Sequence, residues 1–403
     1  MHDSSTGVPD DLRRDLAIVS IRSTIVDVPT VRRHQLSSLA VTAQSYVIVE
    51  LRLGNGVEGI GEAATLGGPR WSEESVESIK STIDSYLAPA LLGAPADRFE
   101  AARTRMDAAA KRNNAAKAAI ESALFDAVGK TLGVRAVQLL GGVVRESMPV
   151  LWTLASGDPA QEIEEAKEKL AARLHDTFKV KIGAHSPEVD LARLRRLAEA
   201  LAGHASLIVD ANQAWDEPTA LRWLPALREL GIRLVEQPLS AWNLGGMARL
   251  RAHSTLPLMA DECVFSAHDM LDVARIGAAD VVSLKLVKHG GLLATRDVAA
   301  VAEAAGIGLY GGCLLESSIG AAAHLQVFAG LRELGWGCEH FGPHILAEDL
   351  VEQPLRFADF QIHLPARPGL GVTLDRDKLR HYARGCEEFD ILIRPDGEVR
   401  LWH

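Results

Sequence analysis

Six charged residues near the ends of apolar runs recur at regular intervals along the middle of this chain: Lys181, Asp210, Glu236, Asp261, Lys285 and Glu316. They lie 24 to 31 residues apart, which is about the length of one strand, one helix and two short loops. In α/β barrels the carboxyl ends of the parallel strands converge on one mouth, and active sites lie there. The spacing therefore predicts an α/β barrel whose mouth gathers these side chains.

Eight apolar runs have the length of barrel strands: residues 150–155, 178–183, 206–212, 233–239, 257–262, 281–286, 306–312 and 336–342. Asp210, Glu236 and Asp261 fall on three consecutive runs, the third to the fifth. Lys181 on the second run and Lys285 on the sixth would face each other across a ring of eight strands. The sequence thus predicts three adjacent carboxylates between two opposed ammonium groups.

Three neighbouring carboxylates predict a divalent cation, because like charges at close range raise one another's pKa unless a cation compensates them. The positions carry no Cys or His, and oxygen ligands favour a hard ion, Mg²⁺ or Mn²⁺. Three protein ligands leave coordination sites open for substrate and water. Such an ion would act as a Lewis acid on a substrate oxygen.

The lysines predict proton transfer. Lys179 lies two residues before Lys181, so both side chains would point to the same side of one strand, and a nearby metal and second cation would lower the pKa of Lys181 toward neutrality. Lys179 would also attract a substrate carboxylate. Taken singly, a strand-end Asp is more often a helix cap or ion-pair partner, and a lone Lys a solvated charge. The joint arrangement favours catalysis at a carbon next to a carboxylate.

The motifs around these residues resemble one family. They are KVK at 179–181, VDANQAW at 209–215, VEQPL at 235–239, ADE at 260–262, SLKLVKHGG at 283–291 and GGCLLESSIG at 311–320. This ordered set, with further similarity from about residue 17 to residue 384, resembles the muconate lactonizing subgroup of the enolase superfamily, and within it the muconate and chloromuconate cycloisomerases. The resemblance implies a modified TIM barrel of the (β/α)7β type with an α+β capping domain.

The resemblance also implies roles for the site residues. Asp210, Glu236 and Asp261 would ligate Mn²⁺ or Mg²⁺, and Lys181 would transfer the proton at the substrate α-carbon with help from Lys179. Four further residues would complete the site: Lys285 on the opposite face, Glu316 on the far side, and Asn212 and Glu262 behind the ligands. The last two are equally well explained as ordinary hydrogen-bonding residues at strand ends.

The reaction implied is the reversible cycloisomerisation of cis,cis-muconate, a small dicarboxylate of catechol catabolism, to muconolactone through a metal-stabilised enolate. A chlorinated substrate is the alternative, since the GGP-x-W-S loop at 67–72 resembles the chloromuconate enzymes whereas Glu316 resembles the muconate enzymes; we favour muconate. Another α-proton reaction of the superfamily, such as dipeptide epimerisation, would use the same groups. A non-catalytic scaffold is disfavoured because every ligand and proton carrier is present.

The pattern of residues 1–145 predicts an α+β capping domain. The barrel is expected at 146–352, and the segment 353–403 is expected to return to the cap. Residues 17–27 and 46–62 alternate like antiparallel strands, with a tight turn at Asn55-Gly56. Helices are predicted over 73–87, capped by Ser72, and from Asn114 to Leu132 before Gly133. After Arg384, alternation around Pro395-Asp396-Gly397 predicts a small hairpin.

Two segments of the cap are expected to shape the substrate pocket: residues 30–35 and the glycine-rich loop 65–71. Arg70 and Trp71 would meet a carboxylate and shield the site, although a Trp that only packs on a surface loop is nearly as well supported.

Cys263 and His289 depart from the family pattern close to the predicted mouth, and His289 would line the pocket.

Composition limits the partners. The chain has 403 residues, a formal net charge of −10 and a pI near 5.8, which argues against nucleic acid. Four cysteines without CxxC spacing, a start that is not a signal peptide and the lack of a long apolar stretch predict a cytoplasmic protein without membrane association. The resemblance to the family further implies that the protein forms a homo-oligomer, often an octamer.

Overall fold

The amino-terminal part of the computed structural model, which describes residues 15–37, 39–385, 392–393 and 399–400, is a three-stranded antiparallel sheet. Its strands are β1 (Ile18–Gln35), β2 (Ala40–Leu53) and β3 (Glu58–Thr65), paired in that order. The predicted turn joins β2 to β3, and Gly56 there has φ +84°, a conformation that glycine adopts without strain. The antiparallel strands and the turn are therefore confirmed.

Helices cover one face of this sheet. They are α1 (Val76–Thr82), a π-helical turn (Ile83–Leu87), α2 (Ala88–Leu91), α3 (Phe99–Ala109), α4 (Asn114–Leu132) and α5 (Ala136–Leu139). The predicted cap at Ser72 is wrong, because Ser75 caps α1. The Ser75 hydroxyl accepts a hydrogen bond from the Ser78 backbone amide, and the Ser78 hydroxyl accepts one from the Ser75 backbone amide. The predicted limits of α4 are confirmed, and Gly133 ends it in the left-handed conformation.

The central part is a barrel of parallel strands. In chain order they are β5 (Trp152–Leu154), β6 (Thr177–Lys181), β7 (Ser206–Asp210), β8 (Val235–Glu236), β9 (Leu258–Ala260), β10 (Val281–Leu284) and β11 (Gly308–Gly311), each paired with the next. The eighth run contributes one bridging residue, Cys338, which pairs in parallel with both Val150 and Gly311 and so closes the ring. The expected modified TIM barrel with an α+β cap is confirmed.

Helices alternate with the strands around the barrel: α6 (Pro159–Ala171), α7 (Pro187–Leu201), α8 (Glu217–Glu229), α9 (Leu244–His253), α10 (Ala267–Ile276), the short α11 (Leu286–His289), α12 (Leu292–Ala304), α13 (Ser318–Phe328) and α14 (Gly342–Ile345). Inside the ring, Leu151, Ile208, Leu234, Met259, Val281 and Tyr310 pack together. This layer fills the barrel interior, so the chemistry is confined to the mouth. Among the described helices, none is long and apolar enough to cross a membrane.

The carboxyl-terminal segment contacts both parts. Strands β12 (Phe357–Ala358) and β13 (Gln361–His363) pair with β4 (Ser147–Pro149) beside the barrel, and α15 (Arg376–Tyr382) packs on β1. Arg384 forms an ion pair with Asp27 of the cap at 2.7 Å. Strands β14 (Leu392–Ile393) and β15 (Val399–Arg400) pair as an antiparallel hairpin, whose expected turn lies outside the described residues. The domain limits at 145 and 352 stay predictions.

Two buried carboxylates of the cap hold the amino termini of two barrel helices. Glu62 on β3 accepts the Ser317 amide at 3.0 Å, at the start of α13. Glu121 on α4 accepts the Leu293 amide at 3.1 Å, in the first turn of α12. Amide groups at a helix start lack partners within the helix and favour negative charge. These contacts fasten the cap to the seventh and sixth strand-helix units.

The two carboxylates also make folding depend on pH. Burial raises the pKa of Glu62 to about 8, despite the hydrogen bond from Ser317, and raises the pKa of Glu121 to about 7. In both cases the folded protein holds a proton that the unfolded chain has released above its ordinary pKa of about 4.3. The stabilisation is therefore complete below that value and is lost as pH rises through the folded-state pKa.

We predict that Glu62→Gln, which cannot ionise, flattens the fall of the Tm between pH 5 and pH 8. One carboxyl group contributes up to about 1.4 kcal/mol per pH unit within that window. Thermal unfolding followed by circular dichroism measures the slope. Glu146→Gln is the control, because Arg135 holds the pKa of exposed Glu146 below its usual value and it should leave the slope unchanged. Parallel curves for wild type and Glu62→Gln would contradict the prediction.

Candidate active site

The three predicted ligands lie side by side at the barrel mouth. Asp210 ends β7 and Glu236 ends β8, and their Cα positions are paired in register. Asp261 directly follows β9, the next strand in the ring. All three carboxylates are buried, with 0 to 1% of each residue exposed. The structure therefore brings these residues together as the sequence predicted.

Each carboxylate is paired with an ammonium group. Lys181 Nζ lies 2.7 Å from Asp210 Oδ2, and Lys285 Nζ lies 2.5 Å from Asp261 Oδ2. Lys179 Nζ lies 2.6 Å from Glu236 Oε2. Lys181 and Lys285 belong to opposite sides of the acidic group, at the ends of β6 and β10. The buried charges are compensated in pairs, as burial of ionised groups requires.

The carboxylates still repel one another. Burial and the charge of Asp210 raise the pKa of Glu236 well above its usual value, against the attraction of Lys179. Burial and the charge of Asp261 likewise raise the pKa of Glu262 to about 7. An oxygen-only donor set under such mutual repulsion fits a hard divalent cation. The residues present therefore suit Mg²⁺ or Mn²⁺.

The neighbouring carboxylates raise the pKa of both opposed lysines. Burial lowers the pKa of Lys181, but the attraction of Asp210 and Glu339 outweighs burial and the net shift is upward. The same balance, with Asp261 and Glu236 as the attracting groups, raises the pKa of Lys285. Each ammonium lies against a carboxylate here, and the expected decrease, which depends on a bound cation, stays a prediction. Both lysines are held as proton donors.

Glu339 is a site residue that the sequence analysis did not identify. It follows Cys338 at the closing point of the barrel, and Oε2 lies 2.6 Å from Lys179 Nζ and accepts the Tyr310 hydroxyl at 3.0 Å. Oε1 accepts the Thr153 hydroxyl at 2.8 Å. The signal was present, since Glu339 is the charged residue of the eighth apolar run. Lys179 thus lies between two acids, Glu236 and Glu339.

Glu316 is buried two residues before α13, within reach of the charge of Lys285. Its Oε2 accepts the Leu314 amide at 2.9 Å, and burial raises its pKa to about 7. Glu316, His324 and His340 have potential ligand atoms within 4.8 Å of one another. His324 is a poor ligand, because Nε2 accepts the Leu286 amide at 2.9 Å and Nδ1 is bonded to the Gly320 carbonyl at 2.8 Å. With both His324 nitrogens engaged within the protein, this trio is a poor cation site.

The glycine-rich loop of the cap covers the mouth. The Trp71 ring centre lies 4.2 Å from Lys285 Nζ, close enough for a cation–π contact. A cavity of about 30 Å³ lies between the loop and the barrel; it is lined by Leu36, Leu39, Arg70, Trp71, Asn212, Gln213 and Glu262. Such a volume is about one water's share of the liquid. The loop therefore packs closely against this part of the barrel mouth.

The remaining predicted residues lie around this cavity or next to it. Asn212 donates its backbone amide to Asp210 Oδ1 at 2.8 Å and its side-chain amide to Glu262 Oε1 at 3.2 Å. Gln35 ends the other segment that was expected to shape the pocket, residues 30–35. Its backbone amide donates to the Ala155 carbonyl at 2.9 Å. His289 is buried but does not line the cavity, so its contact with substrate stays a prediction.

The fold and the site define an enolase-type architecture, in which an α+β cap covers a barrel mouth that carries three acids and opposed lysines. Residues 20–141 match the mandelate racemase / muconate lactonizing enzyme amino-terminal domain, and residues 161–378 match the enolase carboxyl-terminal domain-like family. The chain belongs to this family, the mandelate racemase and muconate lactonizing enzyme group of the enolase superfamily.

Similar proteins fall into two substrate types. A chloromuconate cycloisomerase of Cupriavidus necator is 48% identical, covering 92% of this chain and 100% of the relative, and muconate cycloisomerase 1 of Pseudomonas putida is 48% identical, covering 89% and 96%. The crystal structure of the Pseudomonas fluorescens muconate lactonizing enzyme complexed with muconolactone has a TM-score of 0.91 at 47% identity, covering 92% of this chain and 100% of that one. The resemblance inferred from the motifs is confirmed.

We predict that Lys179→Met lowers the Tm strongly, because it leaves Glu236 and Glu339 buried without their shared cation; losing one partner of a buried pair costs about 3–5 kcal/mol. Adding Glu339→Gln should restore part of the stability by removing one of the stranded charges. Glu146→Gln, which neutralises an exposed carboxylate elsewhere, should restore nothing in the same background. The expectation fails if the double variant Lys179→Met/Glu339→Gln is no more stable than Lys179→Met.

Proposed function

We propose that this protein is a metal-dependent cycloisomerase that converts cis,cis-muconate into muconolactone in the catabolism of catechol. The observation that carries the proposal is the placement of Lys181 and Lys285 on opposite sides of three buried carboxylates under the loop that bears Trp71. Relatives with cycloisomerase names, at 48% identity over most of the chain, support the same reaction type.

Asp210, Glu236 and Asp261 would hold Mn²⁺ or Mg²⁺. When bound, the ion supplies a Lewis acid that lowers the energy of negative charge on a substrate carboxylate. Asn212 and Glu262 would orient the ligands, since Asn212 links Asp210 to Glu262 by two hydrogen bonds.

Lys181 would carry the proton. One carboxylate of the substrate adds to the double bond conjugated with the other; a C–O bond forms and the π electrons move onto the second carboxylate. The Lys181 ammonium, held by Asp210 at 2.7 Å, then gives its proton to the α-carbon. Every atom of the substrate is retained, so the reaction is an isomerisation. Lys179, fixed between Glu236 and Glu339, would add positive charge without moving its proton.

Lys285 and Trp71 would form the opposite wall. The Lys285 ammonium lies 4.2 Å from the centre of the Trp71 ring, so a cationic and an apolar group lie together on this side, which suits a planar dicarboxylate. Glu316 would adjust the charge behind Lys285. The overall net charge of −10 repels a dianion, so this local positive charge must provide the attraction.

We also propose a cytoplasmic homo-oligomer whose partner is the small dicarboxylate alone. Cys263, Cys313 and Cys338 are free thiols in the part of the chain that the structure describes, as suits a reducing compartment. The proposal of a homo-oligomer rests on the resemblance to the muconate and chloromuconate cycloisomerases.

We predict that the protein with Mn²⁺ removes the near-ultraviolet absorbance of cis,cis-muconate, and that Lys181→Ala reduces kcat by about 10²–10⁴-fold, the usual contribution of a positioned proton carrier. Mn²⁺ should still bind, because the proposed ligands Asp210, Glu236 and Asp261 all remain. Lys167→Ala, on the exposed face of α6, should be fully active. Full activity of Lys181→Ala would eliminate this mechanism.

A chlorinated muconate is the second candidate, because relatives of both names are equally identical to this chain. We predict a higher kcat/KM for cis,cis-muconate than for 2-chloromuconate and 3-chloromuconate, measured side by side. A preference for a chlorinated substrate would move the protein to the other type. Turnover of L,L-dipeptides by a protein inert with all three muconates would replace the proposed reaction by epimerisation.

A further inference from the structure

We infer that Lys288, which lies outside the predicted site, is a positioning residue that fixes the carboxylate of Asp261 for cation binding. The inference rests on the proposed function, in which Asp261 is a ligand. Lys288 lies on the one-turn helix α11, three residues after Lys285, and its side chain is completely enclosed.

The ammonium group of Lys288 has three acceptors. It donates to Asp261 Oδ1 at 2.8 Å, to the backbone carbonyl of Asp261 at 2.8 Å and to the backbone carbonyl of Ser283 at 2.7 Å. An ammonium has three protons to donate. Every proton is therefore used, and none remains for a substrate.

These bonds join the ends of two neighbouring strands. Asp261 directly follows β9 and Ser283 lies on β10, so one side chain ties together both backbones where the ligand emerges. The helix that carries Lys288 is held in turn by the cap, because Asn114 donates its side-chain amide to the Lys288 carbonyl at 2.7 Å. The position of the ammonium is thus determined from both domains.

Asp261 is held on each of its polar atoms. Its amide donates to Gln237 Oε1 at 2.9 Å, Oδ1 accepts from Lys288, and Oδ2 lies 2.5 Å from Lys285. Lys285 lies between Asp261 and Trp71 of the cap loop, whereas Lys288 bonds to the backbones of the two strand ends within the wall. Lys288 therefore sets which oxygen faces the wall and which faces the mouth.

The direction of its effect on cation binding separates positioning from simple charge. A cation 2.8 Å from a ligand oxygen repels a divalent ion, so its removal tightens binding if charge alone matters. If Lys288 holds the ligand in place, its removal weakens binding, and groups that orient ligands in this way are typically worth about 10–100-fold in metal affinity. The two explanations predict opposite signs.

The test measures Mn²⁺ binding to metal-free protein by electron paramagnetic resonance of the unbound ion, without any assay of turnover. Lys288→Met should raise the Kd for Mn²⁺ about 10–100-fold. Lys288→Arg keeps the charge but replaces the compact ammonium by a planar fork, and should also raise the Kd. Lys117→Met, which removes a buried lysine paired with Asp107 in the cap, should leave the Kd unchanged.

Asp261→Asn separates this inference from the proposed site. If Asp261→Asn binds Mn²⁺ like the wild type, the proposed ligand set is wrong and the inference falls with it. If Asp261→Asn loses binding while both Lys288 variants retain the wild-type Kd or bind more tightly, only the inference is overturned. Weaker binding by Lys288→Arg, with circular dichroism unchanged, supports it even where Lys288→Met fails to fold.

Discussion

The structure depends on the compensation of buried charge at the barrel mouth. Four lysines, Lys179, Lys181, Lys285 and Lys288, meet the carboxylates of Asp210, Glu236, Asp261 and Glu339 where water has little access. Isolated charges at such depth would cost several kcal/mol each. The strand ends must therefore keep a fixed register, because a shift of one residue would turn each side chain into the barrel wall.

The hydrogen-bond partners that compensate each buried ammonium also indicate different roles for the lysines. Lys181 and Lys285 keep contact with the mouth, with 9% and 3% of each residue exposed, whereas Lys288 is enclosed and uses all three donors on protein groups. A lysine that must release a proton needs an incomplete set of partners. A lysine that holds a neighbour needs a complete one.

Much of this was readable from the sequence because barrel strands place one residue each at the mouth. The repeat of about 25 residues located Asp210, Glu236 and Asp261, and the motifs located the family. Glu339 was missed although its run was identified, because its partners Thr153, Lys179 and Tyr310 lie on three other strands and meet it only in the fold. Lys288 was missed because nothing in a helical turn of four residues shows that its side chain points back into the wall. The Ser72 cap failed because two serines precede α1, and only geometry shows that Ser75 exchanges bonds with Ser78.

The attachment of Glu62 and Glu121 to the helix starts of α13 and α12 has a consequence for how substrate enters. Both anchors lie on the same side of the barrel as the sixth and seventh strands, so a hinge that swung the entire amino-terminal domain away would have to break two buried bonds at once. The loop that contacts the mouth, in which Gly67 and Gly68 adopt φ near +70° beside Trp71, contains neither anchor. Opening of the mouth with both anchors intact would therefore require this loop, rather than the whole amino-terminal domain, to move.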